Sequence, residues 1–162
     1  MAAGPIMPSS GFTGDSAGNA FPYPYTGAGG NTAATEWTFG VAASLAADAT
    51  WEFRFPMPEV IPAGQLKLRI LALANAATGN ALFTVQDARV SAGGNPSSVT
   101  LTSESQTTMT WASGDADQYK QAKINLSAAV VSNDMLVLAI TFNHTSWTLA
   151  QIFAFIPLIV WE

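Results

Sequence analysis

Three groupings in this chain of 162 residues carry residue types that could do chemistry. The first is Gly14-Asp15-Ser16-Ala17-Gly18, which fits G-x-S-x-G. Asp134 and His144 follow it in the chain order of an α/β-hydrolase triad: serine, orienting carboxylate, general base. That chemistry needs the serine on a sharp turn between a strand and a helix. No strand pattern leads into Gly14, no helix pattern leaves Gly18, and no alternation of strands and helices follows, so the match reads as a product of composition and no catalytic residue is expected. His144, in Asn143-His144-Thr145, falls where a strand ends and reads as a solvated turn histidine without a partner. The second grouping is Gly114-Asp115-Ala116-Asp117, with Glu104 near it in a folded sheet. Two loop carboxylates can ligate Ca²⁺, but the cation takes six to eight oxygens and the EF-hand spacing is missing. The expected structure is a turn whose aspartates accept backbone N–H groups, with no metal and no cofactor. The third grouping is the five tryptophans. Trp37 and Trp51 lie on apolar strand faces and read as core, while Trp111, Trp147 and Trp161 have polar neighbours and read as rim, interface or glycan-stacking residues.

The elements that must position these residues are strands. Trp37, Phe39 and Val41 share one parity, as do Trp51, Phe53 and Phe55, with Glu52 and Arg54 opposite; Leu66, Leu68 and Ile70 alternate with Lys67 and Arg69. Phe83 to Val90, Val99 to Ser103, Thr107 to Ala112 and Tyr119 to Leu126 continue the series between turn-forming clusters. Asp134 to Phe142 and Ile152 to Trp161 are apolar on both parities, which predicts burial on both faces, covered by the N-terminal segment or by another subunit. Ile152, Phe153, Phe155, Ile159 and Trp161 are therefore candidates for an oligomer interface. The alanine-rich Val41 to Ala47 is the one piece with room for a short helical turn. The expected architecture is all-β: a β-sandwich, a jelly roll of about eight antiparallel strands over residues 35–162. Residues 1–34 read as an extended arm rich in Gly, Ala and Pro, stiffened at Phe21-Pro22-Tyr23-Pro24-Tyr25. Phe12, Phe21, Tyr23 and Tyr25 are its anchors, docking on another subunit or folding over the arm's own domain.

Composition narrows the function classes. Half the residues are hydrophobic (49%) but only 10% are charged, against about 25% in an average chain. There is no cysteine and one histidine, which excludes disulfides, thiolate chemistry and multi-histidine metal sites. Six Lys plus Arg stand against eleven Asp plus Glu, net −5. The only close grouping of cations is Lys67 with Arg69, and more distantly Lys120 with Lys123, so nucleic acid is not the expected partner. No apolar window is long enough to span a membrane, and the first residues lack a basic head before an apolar run, so neither membrane nor secretion signal is expected. Without one, the sequons at Asn125-Leu126-Ser127 and Asn143-His144-Thr145 carry no weight.

Taken together, Trp51-Glu52-Phe53-Arg54-Phe55-Pro56-Met57-Pro58, Ile61 to Arg69, Thr110 to Lys120, Thr145 to Ala150 and Pro157-Leu158-Ile159-Val160-Trp161-Glu162 give the chain its resemblance. It resembles small β-sandwich virion proteins of tailed bacteriophages, of the head decoration or cement type, over about residues 35–162. The resemblance implies a jelly-roll-like fold and a homotrimer. It also implies a virion protein, made in the host cytoplasm, that binds the major capsid protein on the outer surface of the head and stabilises the assembled shell by mass action, with no catalytic residue. The arm anchors would then contact capsid. The alternative is a tail- or fibre-associated receptor- or carbohydrate-binding β-sandwich module, presenting Trp111 or Trp147 to glycan.

Overall fold

Alternation along the sequence becomes alternation across a sheet. In Ala49–Pro56, Trp51, Phe53 and Phe55 are buried while Thr50, Glu52 and Arg54 are half-buried, as expected of a strand with one face inward. The computed structural model describes residues 6, 8, 10–13, 20–26, 35–42, 45–74, 78–113, 115, 118–149 and 153–162. They form β1 (Ser10–Thr13), β2 (Ala20–Thr26), β3 (Thr35–Val41), β4 (Ala49–Pro56), β5 (Leu66–Ala74), β6 (Gly79–Val90), β7 (Thr102–Trp111), β8 (Lys120–Asn125), β9 (Met135–Phe142) and β10 (Phe153–Trp161). The first sheet has the order β1-β4-β9-β6-β7 and the second β2-β3-β10-β5-β8. Every pairing is antiparallel. Strands β3 to β10 alone give the eight-stranded jelly roll, with the chain crossing between sheets at nearly every connection.

The arm read over residues 1–34 does not stand apart from this sandwich where it is described. Ser10–Thr13 adds an edge strand to the first sheet and Ala20–Thr26 one to the second, while Ile6 exchanges both backbone hydrogen bonds with Ile159 (2.9 and 3.0 Å). An edge strand left open is a pairing hazard, and two short strands from the chain's own N-terminal segment cover one edge of each sheet, at β4 and at β3, while β7 and β8 are the edges opposite.

The core lies between the sheets. Phe142 of β9 packs against Phe153 and Phe155 of β10 with centroids 5.3 and 5.2 Å away, and against Phe83 and Trp147 at 5.6 and 5.8 Å. Trp51 joins the layers by donating its indole N–H to the Gly40 carbonyl, 3.1 Å away. Phe153, Phe155 and Ile159 are wholly inside this core, which corrects their reading as interface residues; Trp161 is half-buried against it, and Ile152 lies outside the described residues. The opposite parity of β10 is also covered within this one chain: Ala154, Leu158 and Val160 are buried. Its double burial therefore does not require a second subunit.

Two smaller expectations change. Val41 closes β3 and residues 46–47 form a bend, with no helical turn among the described residues of that piece; seven residues are too few to hold a helix without packing. The stretches Val99 to Ser103 and Thr107 to Ala112 are not two strands. A single strand, β7, follows a 3-10 turn (Pro96–Ser98) whose Asn95 side chain caps the Ser97 N–H, and a register shift against Thr84 and Gln86 absorbs the irregularity.

Candidate functional site

The triad suggested by chain order does not assemble. Asp134 and His144 flank opposite ends of β9, about 30 Å apart at roughly 3.4 Å per residue. Asp134 is buried and committed elsewhere: its Oδ2 accepts the Val131 N–H at 2.8 Å and pairs with Arg89 Nε at 2.5 Å. His144 is an exposed turn residue after β9, and it has a partner that the sequence does not show. Asp48 Oδ1 accepts its backbone N–H (2.9 Å) and meets its Nδ1 at 2.6 Å, bonds that hold the Asp48 carboxyl below its ordinary range. Ser16 lies outside the described residues. Asp115 behaves as a turn aspartate, taking the Ala112 N–H and the Lys120 ammonium, each at 2.7 Å, the ammonium first in lowering its pKa. Asp117 and the Glu104 side chain lie outside the described residues, and among those described no three His, Cys, Asp or Glu converge on one point.

The tryptophans are redistributed. Trp111 is 1% exposed and Trp147 9%, so neither is a stacking surface. Trp111 packs edge-on to Phe153, its indole N–H has no hydrogen-bond partner among the described residues, and Lys120 Nζ stands 5.7 Å from its ring centre. Trp111 ends β7 and Trp147 follows the 3-10 turn His144–Ser146; both turn inward, and their polar sequence neighbours are exposed.

What remains as surface is the outward parity of each sheet. On the first, Thr50 (β4), Thr141 (β9), Thr84 (β6) and Gln106 (β7) stand in one row across four strands, about 14 Å at roughly 4.8 Å per strand. The adjacent row is Glu52, Ala139, Gln86 and Ser103, and Thr108 and Thr110 extend the array along β7. Ala139, Val137 and Ala88 are buried and form a floor of short side chains. Hydroxyls and amides dominate, the Thr50 and Thr141 hydroxyls lie 3.0 Å apart, and among the described side chains of these rows the charged ones are Glu52 and Arg54, paired at 3.4 Å. At the end of this sheet Pro56, Val90, Ser91, Asn133, Asp134 and Met135 line a pocket of about 190 Å³.

The second sheet turns out a different face. Ala154, Leu158 and Val160 of β10 and Leu73 of β5 are buried, with Leu71 and Ile156 half-buried. Beside them Lys67 and Arg69 of β5 and Lys123 of β8 gather on the Glu162 carboxylate. Hydrogen bonds from Lys123 and then Arg69 hold the Glu162 carboxyl down at about 2. The arm anchors are placed by backbone register: Phe12 opposite Glu52 in the first sheet, and Phe21, Tyr23 and Tyr25 opposite Gly40, Thr38 and Glu36 in the second. Sequence reading missed the threonine row, because it needs the register of four strands, and the capture of Lys123 by Glu162. The signal for the first was the Thr and Gln at alternate positions of β7 and β6.

No protein-family model matches the sequence, and no curated protein matches it. Among solved structures, the fold is similar to a cleaved adhesin domain of Lys-gingipain from Porphyromonas gingivalis (TM-score 0.53, 14% identity, 99% of this chain and 98% of that one). It is similar to part of a Clostridium thermocellum chain that joins a carbohydrate-binding module to a xylanase module, complexed with xylohexaose (TM-score 0.52, 10% identity, 100% of this chain but 28% of that one). It is also similar to a family 11 carbohydrate-binding module from Clostridium thermocellum in complex with a β-1,3-1,4-mixed-linked tetrasaccharide (TM-score 0.50, 11% identity, 100% and 98%). None of these three is a virion protein. At such identities the likeness is one of architecture, and the chain is an all-β protein with the two-sheet antiparallel sandwich that carbohydrate-binding modules and adhesin domains also have.

Proposed function

We propose that the protein is a non-catalytic carbohydrate-binding module that lays a neutral glycan across the outer face of its first sheet. One observation carries this: the Thr50, Thr141, Thr84, Gln106 row with Gln86 beside it, an array almost free of charge on rigid strands. Threonine hydroxyls and glutamine amides both donate and accept, as sugar hydroxyls do. β-strands hold the polar groups more firmly than loops would. The oligosaccharide complexes of the sandwich proteins named above support the reading.

Affinity electrophoresis in mixed-linkage β-glucan, xylan and galactan tests it. At least one polymer should retard the protein. The triple variant Thr84→Ala, Gln86→Ala, Gln106→Ala should lose roughly 2 kcal/mol of binding, about 30-fold, at about 1 kcal/mol per hydrogen bond with partial compensation by water. Equal mobility of the folded wild type in all three polymers sinks the proposal.

Capsid decoration is the second reading, favoured by the sequence resemblance and by one exposed apolar feature. Val60 and Val131, 77% and 49% exposed, sit on loops joined by the Asn133 N–H to Pro58 carbonyl bond, where a protein partner would bury them. Localising the protein on parent particles by electron microscopy tests this reading, and absence from the capsid ends it.

A further inference from the structure

Half of the chain's six cations meet at one point. Lys67 and Arg69 leave β5 on the same parity, and the register places Arg69 directly opposite Lys123 of β8. All three close on Glu162: Arg69 Nη2 at 2.5 Å, Lys123 Nζ at 2.9 and 2.8 Å from its two oxygens, and Lys67 Nζ at 3.5 Å. The backbone fixes Glu162 there. It exchanges hydrogen bonds with Gln65 (2.9 and 3.1 Å), and Gly64, in the left-handed region at φ +121°, packs against it so tightly that a Cβ would lie 3.2 Å from the Glu162 nitrogen.

Three cations on one carboxylate leave a formal +2 in a protein whose net charge is −5. Arg69 Nε, behind the cluster, is buried without a hydrogen-bond partner among the described residues, so the guanidinium meets Glu162 through Nη2. A donor fork and two ammonium groups converging at carboxylate spacing are a carboxylate receptor, and the group seated in it is a carboxylate.

We propose that this cluster binds the carboxylates of an acidic polysaccharide, with Glu162 as a built-in competitor. Around it the outer face supplies what a sugar ring needs. Gln121 and Asn125 flank Lys123 on β8 as exposed amides, and Leu71, opposite Gln121, offers a half-buried apolar edge. Each incoming carboxylate displaces Glu162, and a polymer repeats the charge so that a weak site is revisited. The site lies on the opposite sheet from the threonine row and stands without it. Neutral-glucan binding through that row and acidic-glycan binding through this cluster fail separately.

Affinity electrophoresis of the full chain in polygalacturonate, neutral mixed-linkage β-glucan and single-stranded DNA tests the proposal, with thermal unfolding to confirm that each variant folds. Polygalacturonate should retard the wild type, and the retardation should fade at about 0.5 M salt, where surface charge is screened. Removing the competitor with Glu162→Gln should tighten binding about 3- to 5-fold, the scale of one surface charge interaction. Arg69→Gln and Lys123→Gln should each weaken it, leaving glucan mobility as it was. A misfolded variant cannot bind more tightly, so the opposite signs are the signature. Unretarded wild type and Glu162→Gln alike, weaker binding by Glu162→Gln, or retention by DNA with none by polygalacturonate overturns the proposal.

Discussion

The outer faces of the two sheets are built on the same plan and filled in opposite ways. Each is the outward parity of five antiparallel strands over a shared aromatic core. The first carries Thr50, Thr141, Thr84, Gln86 and Gln106 half-buried or exposed, and the second buries Leu73, Ala154, Leu158 and Val160 before ending in a cluster of cations. Packing explains the inner faces, because a sandwich must fill the space between its sheets at near-crystalline density. It does not explain an uncharged hydroxyl and amide array on one outside and an apolar strip on the other. The difference teaches that the apolar strip of the second face is tied to folding, while the polar row of the first is not needed to fill space.

The largest test removes what the faces share. Phe155→Ala, at a residue 1% exposed and in ring contact with Phe39, Phe53, Phe142 and Phe153, should cost about 3–5 kcal/mol in urea unfolding. That is a large part of a typical total of about 5–15 kcal/mol, and glycan binding should fall with it. The next test sets one face against the other. Leu158→Ala, 7% exposed, should cost roughly 2–3 kcal/mol, whereas Thr84→Ala, half-buried on the opposite face, should stay within about 0.5 kcal/mol. Equal losses would erase the contrast, because both outer faces would then serve stability alone.

How much of this was legible in the sequence depends on the range of the interaction. Trp51-Glu52-Phe53-Arg54-Phe55 announces its strand and its inward parity by local alternation, and the jelly roll follows from eight such stretches with their turns. The double apolarity of Ile152 to Trp161 correctly signals burial on both faces, but cover from the same chain and cover from a second copy leave the same mark on the sequence. Polar neighbours suggest a surface position for Trp111 and Trp147, but neighbours of Trp111 in its strand point the other way, and Trp147 is turned inward by the 3-10 turn before it. In sequence Lys123 stands some fifty residues from Lys67 and Arg69, a gap that β5–β8 pairing closes. His144 looked solitary for the same reason, with its carboxylate 96 positions away.

The smallest effect also separates the two sheets. Glu162 lies on the outer face of the second, and its carboxyl is held at about 2 against an ordinary value of 4.5, first by its hydrogen bond from Lys123 and then by that from Arg69. A carboxyl depressed in the folded state contributes stability that is fully present above the unfolded value, so its contribution should drain between about pH 4.5 and pH 2 as the group protonates. Asp48, beyond the end of the first sheet, is lowered chiefly by its hydrogen bond with His144 and should act in the same direction below its ordinary 3.8. Both groups are mostly solvated, so screening keeps either effect small. Thermal unfolding from pH 5 to pH 2 should therefore show a shallow acid limb that Glu162→Gln flattens most and Asp48→Asn less. Salt at about 0.5 M should flatten the wild type too, since these are surface charges within reach of counterions. If Glu162→Gln leaves the acid limb unchanged, the three cations do not hold Glu162 in solution. The second sheet's outer face would then be apolar cover with no charge cluster, and the contrast between the faces would reduce to polarity alone.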